Sequence, residues 1–263
     1  MKNVAINGAN GRMGRRLVAL GHEDARLNVA AALENSSCAS LGSDAGTAAG
    51  LGEIGLPFTD QFSSQYDVVI DFSTPAGCEV ALQKCLEHKV PIVVATTGLS
   101  DAQLAQVDQA TKVIPVVWAP NMSLAVNLTM NLVQSAAQSL KNVASGVDVE
   151  ILERHHRYKE DSPSGTALKF GEIIKTAMNQ KTEAHGRQGI VGQRPSSELG
   201  YHAIRVGDNP GEHTIVFGMM GETIELRVAA SNRDCYAAGA IEAAIWLCGK
   251  PAGKYNMNDV LGL

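Results

Sequence analysis

Short apolar runs alternate with amphipathic segments over the first 120 residues, and this alternation restricts the fold more than any other feature. Strand-like runs occupy residues 4–6, 27–33, 68–72, 92–95 and 114–118, and helix-like segments occupy residues 12–20, 75–88 and 101–111. Thr74 and Ser100 are suitable N-caps for the last two helices. Strands that helices cover on both faces consist of nearly continuous Val/Ile runs. The pattern therefore predicts an α/β domain with a doubly wound parallel sheet of the Rossmann type.

The pattern changes after Pro120. Helices are predicted over residues 122–140 and 164–178, a strand over 148–152, a polar loop over 180–200, and three further strands over 203–206, 214–217 and 223–230. Gly221-Glu222 predicts a hairpin turn between the last two strands. Strands that follow one another without helices favour a mixed or antiparallel sheet, and hence a second, α+β domain. A last helix over 234–247 is expected to return to the first domain. The expected domains are therefore residues 1–121 with 232–263, and residues 122–231.

Charge and composition limit the possible partners. The 263 residues carry a net charge of −5, which repels polyanions, so we expect neither a nucleic acid nor an anionic membrane as partner. No apolar run approaches the roughly 20 residues that span a bilayer, and residues 1–6 lead directly into a strand. The five cysteines cannot all pair within one chain and form no Cys-x-x-Cys. These observations favour a soluble cytoplasmic protein with reduced thiols.

A glycine-rich turn, Gly8-Ala9-Asn10-Gly11-Arg12-Met13-Gly14, lies between the first strand and the first helix. Glycines allow the backbone to approach a pyrophosphate, and the helix N-terminus supplies N–H groups and partial positive charge. Glu34 follows Gly14 by 20 residues at the end of the second strand, where an acidic residue typically binds a ribose hydroxyl. Asn10 replaces the usual middle glycine and tolerates a left-handed backbone. The combination favours dinucleotide binding over the alternative, a tight turn without a ligand.

The choice between NADH and NADPH is open at this point. Arg12, and Arg15 or Arg16, could bind a 2′-phosphate or simply form a solvated helix face, whereas the Glu34 carboxylate would repel that phosphate.

The segments 95–98 and 119–122 follow two further predicted strands. Because ligands of open α/β sheets bind at the carboxyl ends of strands, these segments either contact the nicotinamide ribose or are ordinary turns.

The segment 153–167 combines cationic residues with a helix start. Five of the six residues 154–159 can carry positive charge, which favours an anionic small molecule. The N–H groups of Gly165 and Thr166, with the Thr166 hydroxyl, can bind a carboxylate at the helix N-terminus. His155 and His156 line one pocket only if the strand ends there, because successive strand residues face opposite sides. The alternative is a solvated strand end with a helix cap. A metal site is not expected, because adjacent histidines rarely chelate one ion and no third ligand is evident.

These segments resemble the 4-hydroxy-tetrahydrodipicolinate reductase (dihydrodipicolinate reductase) family of bacterial lysine and diaminopimelate biosynthesis, and the resemblance covers the whole chain. Residues 153–167 match its signature E-x-H-H-x-x-K-x-D-x-P-S-G-T-A without a break, and residues 8–14 match its G-A-x-G-R-M-G. Residues 71–75 and 119–123 also resemble family segments, and residues 95–98 resemble its G-T-T-G loop with Ala95 in place of the first glycine. The resemblance implies NADH- and/or NADPH-dependent reduction of 4-hydroxy-tetrahydrodipicolinate to tetrahydrodipicolinate with loss of water. It also implies that residues 1–121 with 232–263 bind the dinucleotide, and that residues 122–231 bind the substrate and assemble the chain into a homotetramer.

The resemblance implies a role for each matching residue. His155 would be a proton donor or acceptor and Lys159 a proton donor. The substrate carboxylates would be bound by His156, Gly165, Thr166 and Arg233. The cofactor would be bound by Gly8, Ala9, Asn10, Gly11, Arg12, Met13, Glu34, Ala95, Thr96, Thr97, Ala119, Pro120, Asn121 and Met122. Some members have an arginine directly after the acidic residue, where this chain has Asn35, which favours NADH or dual use. The competing hypotheses are another nicotinamide oxidoreductase acting on an amino-acid derivative, and a non-catalytic dinucleotide-binding regulator.

Overall fold

The computed structural model describes residues 1–263 and contains twelve strands and eight helices. The strands are β1 (Lys2–Asn7), β2 (Leu27–Leu33), β3 (Phe58–Thr59), β4 (Val68–Asp71), β5 (Ile92–Val94), β6 (Pro115–Trp118), β7 (Asp148–His155), β8 (Thr182–His185), β9 (Glu198–Arg205), β10 (Glu212–Met219), β11 (Glu222–Ala229) and β12 (Gly253–Tyr255). The helices are α1 (Arg12–Glu23), α2 (Ala45–Ala49), α3 (Pro75–His88), α4 (Asp101–Ala110), α5 (Leu124–Leu140), α6 (Gly165–Met178), α7 (Asp234–Leu247) and α8 (Met257–Leu261).

The chain divides into two units. The first comprises Met1–Leu124 with Asp234–Leu263, and the second comprises Ala125–Arg233. The boundaries expected from the sequence, after residues 121 and 231, lie close to these positions in the chain. None of the helices combines the length and the apolar character needed to cross a bilayer. All five cysteines are free thiols.

The first unit contains a seven-stranded sheet in the order β12-β6-β5-β4-β1-β2-β3, and every pair in it is parallel. Successive side chains of β1 point to opposite faces of the sheet. Val4 and Ile6 pack in one buried cluster with α1 and α7, and Ala5 packs in another with α3 and α4. Both faces are therefore covered, and the predicted doubly wound parallel sheet is confirmed. The predicted caps are also confirmed, because Thr74 accepts a hydrogen bond from the Gly77 N–H and Ser100 forms a capping box with Gln103.

The second unit contains a five-stranded sheet in the order β11-β10-β7-β9-β8. The pairs β10–β11 and β10–β7 are antiparallel, whereas β7–β9 and β8–β9 are parallel. Helices α5 and α6 cover one face, where Phe170 and Ile174 belong to the same buried cluster as Ile151 and Phe217. The predicted α+β domain with a mixed sheet is confirmed.

The prediction of a polar loop over residues 180–200 is wrong. Strand β8 lies within that segment, and β9 begins there at Glu198. Strand β8 has no apolar alternation, because three of its four residues are exposed. Its order comes from backbone pairing with β9 and from the His185 ring, which stacks on Tyr201 with ring centres 5.2 Å apart. Strand β7 continues past the predicted end at residue 152, because polar Glu153 and His155 occupy its buried face.

Candidate active site

The glycine turn connects β1 to α1 through closely packed backbone. Gly8 has a φ of +76°, and a Cβ there would lie 2.7 Å from the Phe72 carbonyl oxygen. A Cβ on Gly14 would lie 2.6 Å from the Ala9 Cα. The N-cap Gly11 provides no side chain to cap the first turn of α1. The first N–H groups of α1 are thus presented as an anion-binding helix N-terminus.

Three loops that the sequence singled out meet at one cavity of about 430 Å³ in the first unit. Arg12 and Met13 come from the glycine turn, Ala95–Thr97 follow β5, and Pro120–Met122 follow β6. They meet because the carboxyl ends of parallel strands share one edge of the sheet. Ala119 lies buried at the end of β6. Phe72, Ser73 and Tyr236 also line the cavity and were not proposed as site residues from the sequence.

The acidic residue of the dinucleotide pattern is held against the turn. Glu34 follows β2, and its Oε1 accepts a hydrogen bond of 2.8 Å from the Asn10 N–H. The left-handed residue of the turn is Gly8, whereas Asn10 has a negative φ. The expected turn forms, but it does not use the left-handed conformation that Asn10 would tolerate. The Asn10 side-chain amide instead donates to Ser40 Oγ at 3.2 Å.

The three arginines near the turn have different environments. Arg15 folds back onto Asn10, donating to its backbone oxygen at 2.9 Å and to its Oδ1 at 2.8 Å. Arg16 forms a bidentate ion pair with Asp234, with distances of 2.6 and 3.0 Å. Only Arg12 of the three lines the cavity. Asn35, after Glu34, is exposed, and its Oδ1 accepts hydrogen bonds from the N–H and hydroxyl of Ser37.

A buried carboxylate forms hydrogen bonds to two residues of the cavity wall. Asp71, at the end of β4, is fully buried and accepts hydrogen bonds from three side chains. Its Oδ1 accepts from Asn7 Nδ2 at 2.7 Å and from Ser73 Oγ at 2.6 Å, and its Oδ2 accepts from Thr96 Oγ1 at 2.7 Å. Two cavity residues, Ser73 and Thr96, are thus fixed by one carboxylate.

In the second unit, β7 ends at His155 and brings a buried carboxylate next to its ring. His155 Nδ1 lies 2.5 Å from Glu153 Oε2. The Glu153 carboxylate also accepts two hydrogen bonds of 2.8 Å from Arg205 and one of 3.1 Å from the Ser164 N–H. Glu153 therefore connects the end of β7 to the start of α6 and to β9. Sequence reasoning quoted Glu153 within the signature but gave it no role.

The remaining predicted residues of this site lie on the loop after β7 and at the start of α6. His156 immediately follows the strand, as required for both histidines to serve one pocket, and is partly buried. Lys159 Nζ donates to both oxygens of Asp161, at 2.7 and 2.9 Å. Gly165 and Thr166 open α6, and a Cβ on Gly165 would meet no other atom within 4 Å. Arg233 is exposed at the end of the second unit and is not part of the Glu153 network.

His213 is a further histidine that the sequence analysis missed. Its Nε2 lies 2.8 Å from Ser164 Oγ, and its ring packs against that of His155 with centres 5.2 Å apart. The available signal was alternation, because His213 stands in register with buried Ile215 and Phe217 on β10. A histidine on an otherwise apolar strand face indicates a buried polar partner, here the N-cap of α6.

The protonation states follow from these contacts. Burial alone would raise the pKa of Glu153, but hydrogen bonds from Arg205 and His155 outweigh it and lower that pKa. Burial lowers the pKa of His155, against the opposing effect of Glu153. Burial, with a further contribution from His155, lowers the pKa of His213 to about 4. At neutral pH the site therefore holds an ionised Glu153 beside a neutral His155, against which a neutral His213 packs. No group of three or more His, Cys, Asp or Glu side chains is arranged to hold a metal ion.

The parallel sheet in the strand order of two nucleotide-binding halves, with a glycine turn at the carboxyl edge, defines a dinucleotide-binding α/β protein. Comparison with known families refines this class. Residues 2–122 match the model for the N-terminus of dihydrodipicolinate reductase, and residues 125–261 match the model for its C-terminus.

Individual proteins agree with the family models. A protein of Rhodopirellula baltica named 4-hydroxy-tetrahydrodipicolinate reductase is 52% identical over 99% of this chain and 96% of its own length. One of Pseudoalteromonas atlantica with the same name is 42% identical over all of both chains. Among solved structures, dipicolinate-bound dihydrodipicolinate reductase from a Paenisporosarcina species matches with a TM-score of 0.78 and 25% identity, covering 97% of each chain. The chain belongs to the dihydrodipicolinate reductase family and is an oxidoreductase of lysine biosynthesis.

Proposed function

We propose that this chain reduces 4-hydroxy-tetrahydrodipicolinate to tetrahydrodipicolinate with loss of water, the first unit binding the nicotinamide cofactor and the second the substrate. The observation that carries the assignment of roles is the environment of His155, at a strand end beside a buried carboxylate and four residues before Lys159. Proton transfer to a reduced ring needs a group that changes protonation near neutral pH, and histidine is the side chain best suited to that.

The residues of the first unit fit a dinucleotide. The tight path of the turn requires glycine at residues 8 and 14, where a Cβ would collide with backbone atoms, and the 430 Å³ cavity lies beside Arg12 and Met13 of the turn. Gly8 to Met13 would hold the pyrophosphate, and Glu34 a ribose hydroxyl. Ala95–Thr97 and Ala119–Met122 would surround the nicotinamide end. When bound, the reduced nicotinamide supplies the hydride.

In the second unit the substrate carboxylates would be bound by cations and helix N–H groups. Gly165 and Thr166 present the N-terminus of α6, where nothing crowds the approach to Gly165. His156 and Arg233 would complete this binding. The negative charge that develops on the ring after hydride addition would be quenched by a proton from His155 or Lys159.

We propose that NADH, or both cofactors, serve as reductant. Glu34 follows β2, where an acidic residue typically binds a ribose hydroxyl, and the next residue is Asn35 instead of an arginine. Asn35 Oδ1 accepts hydrogen bonds from the N–H and hydroxyl of Ser37. Arg12 remains as the cation that could contact a 2′-phosphate. Replacing Glu34 by Ala should therefore weaken NADH binding more than NADPH binding, measured as Kd for each. Equal losses would place Glu34 away from the ribose.

The direct test follows the absorbance of reduced nicotinamide while dihydrodipicolinate synthase generates the substrate in situ. We expect oxidation of NADH, and His155→Ala should lower kcat by about a hundredfold or more while leaving the Kd for NADH unchanged. Unchanged turnover in His155→Ala would refute its proton-transfer role. Cofactor binding without turnover in the unmodified protein would favour a regulator instead.

We further propose a homotetramer that works in the cytoplasm, where five free thiols are stable. The face of the second sheet opposite α5 and α6 exposes Leu152 and Ile204, which the pairing of β7 with β9 places on the same side. A second copy could cover this face. Leu152→Glu should reduce the mass measured by light scattering, whereas Val80→Glu, at a more exposed apolar position of α3, should not.

A further inference from the structure

The carboxylate of Glu153 is almost inaccessible and has four hydrogen-bonding contacts. Its side chain is 1% exposed, with Arg205 bound bidentately, the Ser164 N–H at 3.1 Å and His155 Nδ1 at 2.5 Å. An ionised carboxylate only accepts hydrogen bonds, and the paired Arg205 favours that ionised state. The hydrogen between Glu153 and His155 therefore belongs to the imidazole Nδ1.

The other ring nitrogen, Nε2, faces Gly211. A Cβ at Gly211 would lie only 2.9 Å from His155 Nε2, so glycine at this position keeps a side chain away from that nitrogen. Gly211 has a φ of +152° and is fixed by two hydrogen bonds of 2.9 Å, one from its N–H to Asn209 Oδ1 and one from the Ala230 N–H to its oxygen. A side chain at this position would be both strained and in contact with Nε2.

We propose that Glu153 is a positioning residue that acts through His155: it keeps the hydrogen on Nδ1 and leaves Nε2 as the atom that takes up and delivers the proton. This inference rests on the proposed proton-transfer role of His155. Arg205 holds the Glu153 carboxylate in place. His213, neutral and packed against the His155 ring, fixes the ring together with the α6 N-cap Ser164.

The arrangement also explains how a neutral histidine becomes a proton donor when substrate arrives. The charged and titratable groups that act on His155 are Glu153 on its own strand, Lys159 after it, Arg205 on β9 and His213 on β10. Lys159 and Arg205 oppose the imidazolium, and Glu153 favours it. A dicarboxylate bound nearby would counter the two cations and thus promote protonation at Nε2.

The test reads the tautomer without reference to activity. The full-length protein is labelled with ¹⁵N-histidine, and long-range ¹H–¹⁵N spectra at pH 8 distinguish protonated from unprotonated ring nitrogens. His155→Asn identifies the His155 signals among the seven histidines. We expect His155 as the Nδ1–H tautomer in the unmodified protein. An Nε2–H tautomer there would overturn the inference whatever the kinetics show.

Variants connect the tautomer to catalysis. Glu153→Gln offers both a donor and an acceptor, so His155 should become a mixture of tautomers and kcat should fall at least about tenfold, with KM and the Kd for NADH little changed. The alkaline limb of the kcat profile should move to lower pH, because the imidazolium loses its carboxylate partner. Glu153→Asp, which keeps the acceptor, should restore the Nδ1–H form. An unchanged tautomer and kcat in Glu153→Gln would overturn the proposal.

A matched control lies on the same strand. Glu150 also binds two arginines and a histidine, namely Arg187, Arg194 and His202. Glu150→Gln should leave the His155 tautomer and the kcat profile unchanged, and a shift of either would refute the specific pairing with Glu153. Full turnover in His155→Asn would instead refute the proposed role of His155, so the two failures are distinguishable.

Discussion

The buried carboxylate of Asp71 orders the carboxyl edge of the first sheet, and its removal tests this directly. Two donors bind Oδ1 and one binds Oδ2, at 2.6 to 2.7 Å. Asp71→Asn keeps the shape but replaces one acceptor oxygen with a donor. If the new amide NH₂ faces Thr96, the Thr96 hydroxyl loses the oxygen that accepts its hydrogen bond. The Thr96 Oγ1, which already accepts from the Ser73 N–H at 3.1 Å, then meets a second donor. If the amide NH₂ faces Asn7 and Ser73 instead, it meets Asn7 Nδ2 and the Ser73 hydroxyl, both of which donate hydrogen bonds in the unmodified protein.

The size of the effect follows from these bonds. A hydrogen bond to a charged group contributes about 1.5–3 kcal/mol, and a buried donor left without an acceptor costs about 1–3 kcal/mol. Asp71→Asn loses one such bond outright and weakens the others. We therefore expect the free energy of unfolding of the first unit to fall by roughly 2–4 kcal/mol. Cofactor affinity should fall as well, because Ser73 and Thr96 line the cavity.

Urea unfolding followed by tryptophan fluorescence measures this quantity selectively, because both tryptophans, Trp118 and Trp246, lie in the first unit. Asp60→Asn is the control, since Asp60 is exposed and its Oδ1 accepts a hydrogen bond of 2.6 Å from the side chain of the neighbouring Gln61. Its effect should stay within about 0.5 kcal/mol. A midpoint for Asp71→Asn equal to that of the unmodified protein would refute the reasoning.

Three further predictions concern the turn, the buried histidine and the polar segment before β9. Gly14→Ala places a Cβ 2.6 Å from the Ala9 Cα, so calorimetry should show lost NADH binding and a stability loss of about 1–3 kcal/mol; retained affinity would contradict the close packing. The pKa of His213 is about 4 when folded, below the unfolded value of about 6.5, so its contribution to stability is present above pH 6.5 and is lost as the pH falls to 4. The stability difference between the unmodified protein and His213→Gln, from thermal unfolding by circular dichroism, should shrink by up to about 3 kcal/mol over that range, and a constant difference would argue against a buried neutral ring. Arg194 donates to Asp148, Glu150 and the Glu198 carbonyl, so Arg194→Ala should speed proteolytic cleavage within residues 186–197, and an unchanged rate would show that the segment is held otherwise.

The parallel sheet of the first unit could be predicted from the sequence because its strands are buried on both faces. Each strand then appears as an apolar run, and the ends of parallel strands meet without further information. The convergence of Arg12, Thr96 and Asn121 on one cavity follows from that topology. The hydrogen bonds of Asp71 could not be predicted, because the partners Asn7, Ser73 and Thr96 come from the ends of different strands and the loops after them. Strand β12 also escaped prediction, because three residues at a sheet edge carry no periodic signal.

The backbone conformation of the glycine turn, residues 8–14, could not be predicted from residue spacing. Asn10 replaces the usual middle glycine and would tolerate a left-handed conformation, whereas the residue of the turn that adopts it is Gly8. Spacing predicts that a turn forms, but the path of the backbone depends on what it packs against. Here the Phe72 carbonyl, from the loop after β4, excludes a side chain at Gly8.

The two glutamates of β7 show why spacing alone could not identify the residue that acts on His155. Both bind arginine and histidine, and burial alone would raise both pKa values, yet hydrogen bonds lower that of Glu150 to about 2 and also lower that of Glu153. They are separated by an odd number of positions, so they face opposite sides of the sheet. Glu150 binds residues of the polar segment before β9, whereas Glu153 faces α6 and meets His155. Arg205 reaches Glu153 because β9 pairs with β7 in a register that sets it opposite His155, 50 residues away in the chain. Strand parity and this long-range register, which no local motif contains, therefore decide which of the two carboxylates contacts His155.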